Sequence, residues 1–200
     1  INAIIDEKGI TSHFVAVFID ITDIKVKEAE IEYQAFHDPL TGLPNRSLLN
    51  DRLDHALEQA KRNDKKVALL FLDLDRFKLV NDTLGHLQGD RVLQTIARLI
   101  AEIIRPTDIL VRWGGDEFSI LTECDENEAR AIAERIRHMI SEVNWPKIPH
   151  KRHDPRKKLT ASIGIAIFRP GDDLTHLLER ADQALYQGKQ QGRNQVNIAY

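Results

Sequence analysis

One cysteine, Cys124, and one methionine, Met139, stand in a chain of 200 residues. The lone cysteine excludes an intrachain disulfide and any cysteine-cluster metal site. It suits a reducing, cytoplasmic setting. Because the only methionine is internal, Ile1 is not a natural start. The chain is expected to be cut from a longer protein, with room there for a membrane anchor or a following phosphodiesterase domain. No apolar run approaches the roughly 20 residues of a membrane helix. The first residues carry no signal-peptide pattern, so no membrane contact is expected within this segment. A surplus of charge is also lacking. The formal net charge of −3 excludes a nucleic-acid binder working by bulk charge. Internal repeats and low-complexity tracts are missing too. What remains is an ordinary apolar share, enough for one compact domain and an appendage.

Residues 13–21, after Gly9, are β-branched and aromatic and read as a strand. A single strand does not fold as a domain, so this one is expected to be mobile or to borrow a partner. Thr22 or Asp23 can cap a helix that follows. Val26, Ala29, Tyr33 and Phe36 repeat with 3-4-3 spacing, a short heptad seam. Such a helix either lies on its own domain or pairs with a second chain, and two heptads do not decide between them. The run His37 to Arg46 is dense in turn and cap residues. Asp38 suits an N-cap and Pro39 a first helical position. Gly42 and Pro44 break the chain, and a helix is expected from about Arg46 to Arg62.

From there the elements alternate. Val67 to Leu72 is a continuous apolar run, which predicts a strand buried on both faces. Val92, Ile96, Leu99, Ile100 and Ile103 mark a helical face. Ile109–Trp113 and Phe118–Leu121 flank Gly114-Gly115 and predict a hairpin. Glu126 to Ile140 reads as a helix and Leu159 to Phe168 as a strand. Leu174 to Leu185 reads as a helix capped by Asp172 or Asp173, and Gln195 to Ala199 as a last short strand. This order predicts an α/β (α+β) fold: a mixed central sheet with an antiparallel hairpin, flanked by helices.

Two carboxylates, Asp73 and Asp75, end the buried strand, where charge needs a purpose or a partner. Asp116 and Glu117 stand at the hairpin turn. If that strand lies beside the hairpin, Asp73 and Asp116 converge, and clustered carboxylates repel unless a cation joins them. All-oxygen ligation completed by phosphate suits Mg²⁺. Gly114 and Gly115 offer backbone without side chains, which lets phosphates approach closely. Against this stands a plain solvated hairpin, because Gly-Gly-Asp is common turn chemistry.

The company of that turn weighs against the plain reading. Arg112-Trp-Gly-Gly-Asp-Glu-Phe118 resembles the signature of the diguanylate cyclase (GGDEF) family. Phe71-Leu-Asp-Leu-Asp-Arg-Phe-Lys78, then Asn81-Asp-Thr-Leu-Gly-His86 with Gly89-Asp90, resembles its metal strand and base-recognition segment. Asp38 to Arg46, Ala161 to Ala166 and Ala184 to Asn194 resemble its lead-in and closing elements. The likeness covers about residues 36–200. It implies three parts: 1–22 as the C-terminal edge of a PAS-type sensor, 23–36 as a helical linker, and 37–200 as the cyclase domain. For that domain it implies a palm-like nucleotide-cyclase fold with a five-stranded sheet.

The resemblance also implies roles. Asp73, Asp116 and the Leu74 carbonyl would bind two Mg²⁺, with Mn²⁺ as a substitute. Asp73, Asp116 and Glu117 would carry the chemistry. Glu117 would either position metal and ribose or take the 3′-hydroxyl proton. Gly114 and Gly115 would lie along the phosphates of GTP, and Lys78, Lys189 and Arg193 would hold them. Asn81 and Asp90 would read guanine, with Phe77 and His86 in the same pocket. Asp90 also follows Gly89 at an expected helix start, so it doubles as an N-cap. Arg105 and Asp108, an R-x-x-D five residues before Gly114, would bind cyclic di-GMP as an inhibiting product. The implied reaction joins two GTP across a homodimer.

Some features depart from the pattern or need no role. Arg76 stands where the family usually has an aromatic residue, and Trp113 replaces a more usual tyrosine. The basic run His150 to Lys158 reads as a solvated loop rather than a nucleic-acid contact. Cys124 reads as a small buried or edge residue. Rival readings are a non-catalytic nucleotide-binding module, a dimerisation platform, or an enzyme making another dinucleotide. Intact Asp116, Glu117 and glycines oppose the first two, and Asp90 opposes the third.

Overall fold

The computed structural model describes residues 2–5, 7–9, 11–15, 19–63, 65–145 and 158–200. The expected basic loop at 150–157 lies outside the described residues. The chain forms two compact units, 1–35 and 36–200. In the first, β1 (Asn2–Ile5) and β2 (Thr11–Val15) pair antiparallel about Gly9, whose φ is 79°. The strand expected at 13–21 therefore starts earlier and already has a partner. Residues 16–18 lie outside the described residues, and 19–21 are not strand. Those last residues lead into α1 (Thr22–Phe36): the Asp20 carboxylate accepts the Thr22 amide at 2.9 Å, so the cap sits earlier than Thr22 or Asp23. Helix α1 buries none of its side chains, and Val26, Tyr33 and Phe36 of the seam are all exposed.

The second unit holds a five-stranded sheet in the order β4-β5-β3-β6-β7. Its strands are β3 (Ala68–Asp75), β4 (Ile109–Gly114), β5 (Glu117–Thr122), β6 (Thr160–Ile167) and β7 (Val196–Ala199). All neighbours are antiparallel except β6 and β7. Helices α2 (Arg46–Asn63), α3 (Phe77–Leu84), α4 (His86–Ile103), α5 (Glu126–Glu142) and α6 (Leu174–Gln190) cover it. The apolar run of β3 separates into two cores because successive side chains point to opposite faces. Ala68, Leu70, Leu72 and Leu74 join α3, α4 and α5. Leu69 and Phe71 join α2 and α6. This is the expected mixed sheet, and β3 runs on past Leu72 to include Asp73 and Asp75.

Two local expectations change. No helix starts at Pro39. Asp38 accepts from the Thr41 amide and hydroxyl at 2.8 and 2.6 Å, but the result is a closed turn stopped by Gly42, at φ 71°, and Pro44. Asp90 is not an N-cap, because α4 begins four residues earlier, at His86, after Gly85 breaks the chain at φ 84°. Helix α3 is an addition to the expected order. At α6 the cap is Asp173, which accepts from the His176 amide. Cys124 is buried, and burial pushes its thiol up to about 11, which keeps it out of thiolate chemistry.

Candidate active site

Three elements meet at one end of β3. Asp73 lies directly opposite Glu117 in the antiparallel register of β3 and β5. Residues so paired share a face with Cβ atoms about 5 Å apart. The Leu74 amide donates to the Asp116 carbonyl at 3.3 Å, which ties the turn to the strand. Helix α6 supplies the countercharge: Lys189 Nζ stands 2.7 Å from Asp73 Oδ2. Burial pushes the Asp73 carboxyl above its ordinary value. The hydrogen bond and charge of Lys189 pull it back, while Asp116 and Asp75 push it further up. Glu117 is also raised, first by burial and then by the charge of Asp73, with Lys189 opposing and Asp116 and Asp182 adding. Carboxylates raised by one another are favourable ground for a cation.

Among the described residues, no three His, Cys, Asp or Glu side chains stand close enough to hold a metal by themselves. A hard divalent ion such as Mg²⁺ takes few protein ligands and keeps water or phosphate oxygens as the rest. The donor chemistry fits, all of it oxygen: the Asp73 and Asp116 carboxylates and the Leu74 carbonyl. The Leu74 side chain itself is buried in the core.

The turn is shaped by two glycines and held by an arginine. Gly115 has φ 52°, and a Cβ built at Gly114 or Gly115 meets nothing within 4 Å. Left-handed backbone demands glycine at 115, and the open space beside both leaves backbone available to a ligand. Arg112 donates to the Gly115 carbonyl through Nε at 3.1 Å and Nη2 at 2.7 Å. Its Nη1 reaches both Asp38 oxygens at 2.9 Å. Burial works against ionisation of Asp38, but hydrogen bonds from Thr41 and Arg112 outweigh it and hold the carboxyl below its ordinary value. The lead-in motif is thus bolted to the turn. Trp113 interrupts the β4–β5 register and stacks edge-on against Phe71 at 4.9 Å, with the Arg46 guanidinium 4.5 Å over its ring.

The residues expected to read the base lie on α3 and α4. Asn81 is half-buried, and its Oδ1 lies only 1.9 Å from where a Cβ on Gly89 would sit. Only glycine permits that approach, which packs α3 against α4 at this point. Phe77 is buried and also borders Gly89. His86 and Lys78 are exposed on the first turns of α4 and α3. Arg193, half-exposed, follows α6, with Nε 3.9 Å from Asp75 Oδ1. Arg76 stands at the head of α3 with φ 65°.

Arg105 and Asp108 lie elsewhere, before β4. The Arg105 amide donates to Asp108 Oδ2 at 2.9 Å, and its guanidinium pairs with Glu128 at 3.1 Å. They border a cleft of about 490 Å³ floored by Leu43, Leu48, Ile104 and Ile109. Six residues of β4, about 20 Å, separate them from the turn.

Sequence reasoning did not assign Arg112, Asp38 or Asp75. The i, i+2 spacing of Asp73 and Asp75 was a usable signal, since it puts both on the α6 face. Nothing local marked Arg112 as the partner of Asp38, 74 positions away.

A mixed sheet with carboxylates gathered beside bare glycine backbone, and cations on the closing helix, defines a palm-like nucleotide-cyclase domain. Residues 35–195 match the family described as diguanylate cyclase, GGDEF domain, and the chain belongs to it. It is 44% identical over 178 residues to the bifunctional diguanylate cyclase/cyclic di-GMP phosphodiesterase MucR of Pseudomonas aeruginosa, covering 86% of this chain and 25% of that protein. It is 36% identical over 181 residues to the diguanylate cyclase DgcM of Escherichia coli, covering 90% of this chain and 42% of that protein. The chain thus spans a minor part of these relatives. The crystal structure of the coiled coil and GGDEF domain of DgcB from Caulobacter crescentus, in complex with c-di-GMP, superposes with a TM-score of 0.79. It is 32% identical, covering 90% of this chain and 94% of that one.

The carboxylate cluster generates a stability prediction. An acid raised in the folded state costs stability when ionised and none once protonated in both states. Glu117→Gln should therefore raise the melting temperature of the metal-free protein at pH 7, by roughly 1–2 °C after solvent screening. The gain should shrink as pH falls through the raised value and vanish below about 4, the ordinary range of Glu. Thermal melts of both proteins in chelator across pH 4–8 check this; a gain that grows toward low pH contradicts it.

Proposed function

We propose that residues 37–200 form a diguanylate cyclase, which condenses two GTP into cyclic di-GMP with release of two pyrophosphates. One observation carries the reading: Asp73, Glu117 and Lys189 meet at the sheet end that also holds the Gly114-Gly115 turn. Asp73, Asp116 and the Leu74 carbonyl would hold two Mg²⁺, or Mn²⁺ in substitution. Bound there, the ions supply charge neutralisation and polarisation at the α-phosphoryl group. Lys78, Lys189 and Arg193 hold β- and γ-phosphates, and the turn backbone lies along them. Asp90 accepts from guanine N1–H and the exocyclic amine, Asn81 joins it, and Phe77 and His86 wall the pocket. Adenine lacks both donors and leaves Asp90 unpaired. Glu117 either positions the ribose or accepts the 3′-hydroxyl proton. The 3′-oxygen then bonds to the α-phosphorus of the other GTP as the bond to pyrophosphate breaks, and the step repeats in the opposite sense.

Each domain offers one GTP site, so the reaction needs two chains face to face. We place the dimer contact on the exposed seam of α1, Val26 to Phe36, as a linker at 23–36. It joins the cyclase to residues 1–22, the last edge of a PAS-type sensor. Arg105 and Asp108 form a separate site for cyclic di-GMP, where bidentate arginine donors suit a guanine edge or a phosphate. The domain works in the cytoplasm. Among the described residues no helix is long and apolar enough to cross a membrane.

Purified protein given GTP and Mg²⁺ should release pyrophosphate and yield cyclic di-GMP, preferring GTP over ATP by on the order of 10⁴. Asp116→Asn should lower kcat at least about a hundredfold. No pyrophosphate from a demonstrated dimer sinks the reading. A chain beginning at Phe36 should lose activity at low protein concentration and regain it at high concentration; full activity at low concentration removes the seam from the dimer. Arg105→Ala should raise the product yield at steady state, and inhibition identical to wild type would exclude that site.

A further inference from the structure

We infer that Asp75 is a positioning residue. It fixes the turn Arg193–Asn194, and through that turn the cation Arg193, in the arrangement that receives the triphosphate. The inference rests on the cyclase reading above and assigns a role to the second carboxylate of β3. Among the described residues, Asp75 is the only charged side chain that is buried, with 1% of its surface exposed. A buried carboxylate persists only where its lone pairs are satisfied. Oδ1 accepts from the Ser162 hydroxyl at 2.8 Å. Oδ2 accepts from the Thr160 hydroxyl at 2.8 Å and from the Asn194 amide at 3.0 Å. Its oxygens thus face β6 and the turn after α6, with Arg193 Nε 3.9 Å away.

The turn needs such a hold. Gly192, Arg193 and Asn194 have φ of 121°, 67° and 48° in succession. Glycine is at ease there and arginine is not. Left-handed backbone at a non-glycine residue lasts where its surroundings over-determine it. Three ties do so here. The Arg193 amide donates to the Gly188 carbonyl at 3.0 Å. Asp75 takes the Asn194 amide from inside. Arg137 Nη1 donates to Asn194 Oδ1 at 3.0 Å from outside. Held this way, the Arg193 side chain stands half-exposed, in the turn that follows α6 and Lys189. The two acids of β3 therefore differ in use: Asp73 faces Lys189 and the hairpin turn, whereas Asp75 faces the scaffold that aims Arg193.

The test is Asp75→Asn, which keeps shape and removes charge, in steady-state GTP kinetics of the full chain with circular dichroism as a folding check. KM for GTP should rise about tenfold with kcat within about twofold of wild type. The Mg²⁺ concentration for half-maximal rate should not move. In an Arg193→Ala background the same change should add less than about twofold, because both changes remove one device. Wild-type KM overturns the inference, as does a full multiplicative effect in the double variant. A raised Mg²⁺ requirement that excess metal restores also overturns it, and makes Asp75 a metal ligand. If Asp75→Asn does not fold, Arg137→Ala cuts the outer tie and should raise KM several-fold with kcat unchanged; an unmoved KM again overturns it. Wild type that neither binds nor turns over GTP removes the cyclase reading, and this inference with it. Failure of the variants beside an active wild type removes the inference alone.

Discussion

Helix α6 can rest on the sheet because β6 carries Gly164 beneath it. A Cβ there would stand 2.2 Å from the Ala181 carbonyl and 2.3 Å from the Leu185 amide. With no side chain between them, helix and strand touch backbone to backbone. Leu177, Ala181 and Leu185 then follow one face of α6 over Leu69 and Phe71 of β3. Continue both elements and the apolar pairs become charged ones. Lys189, four residues past Leu185, meets Asp73, two residues past Phe71. Past the end of α6, the turn at Arg193 and Asn194 meets Asp75, the next residue on that strand face. The i+4 stripe of the helix and the i+2 face of the strand run side by side, so core packing sets the register of the site. A larger residue at 164 would lift α6, and the cations would leave with it.

The other half of the site is held from the far side of the sheet. Arg112 spans the Gly115 carbonyl and the Asp38 carboxylate, and its own amide donates to the Pro44 carbonyl at 3.0 Å. Its side chain is 12% exposed and that of Asp38 17%, so the pair is screened less than a surface bridge. Asp38 stands two residues after Phe36, the last residue of α1. A turn that must keep left-handed backbone at Gly115 is therefore tied to the first residues of its own domain. Under the proposed function this tie lies between the dimerising seam and the phosphate-facing backbone.

Most of this was legible in sequence where periodicity or turn chemistry spoke. The two-sided burial of β3, the hairpin about Gly114-Gly115 and the α6 stripe each follow from residue spacing. The pairing of Asp73 with the hairpin follows from strand adjacency. What spacing could not give was pairing at a distance. Asp38 carries cap chemistry and does cap a turn, but its pairing with Arg112, 74 residues on, had no local signal. Asp90 looked like a cap because Gly89 precedes it. Gly89 is glycine for another reason: the Asn81 side chain occupies the space of its Cβ. A glycine signals either a break or a close approach, and only tertiary contact separates the two. Asp20, expected in a strand, instead accepts the Thr22 amide at the start of α1.

The cluster of Asp73, Asp116 and Glu117 is a local conflict of like charges. Burial and mutual repulsion both raise Asp73 and Glu117, and Lys189 relieves the strain only in part. A sequence selected for stability alone would replace one acid by an amide. Asp75 shows that this fold can bury a carboxylate and satisfy it fully, with two hydroxyls and an amide within 3.0 Å. The contrast lies two residues apart on one strand face. Where the fold needs only structure, it surrounds the charge with donors. At Asp73 it supplies one lysine and leaves like charges as neighbours. Unrelieved charge of this kind is retained where a ligand completes it. Under the proposed function the groups that would complete it are a divalent ion and the oxygens of a polyphosphate, and the glycine backbone beside the cluster is open to them.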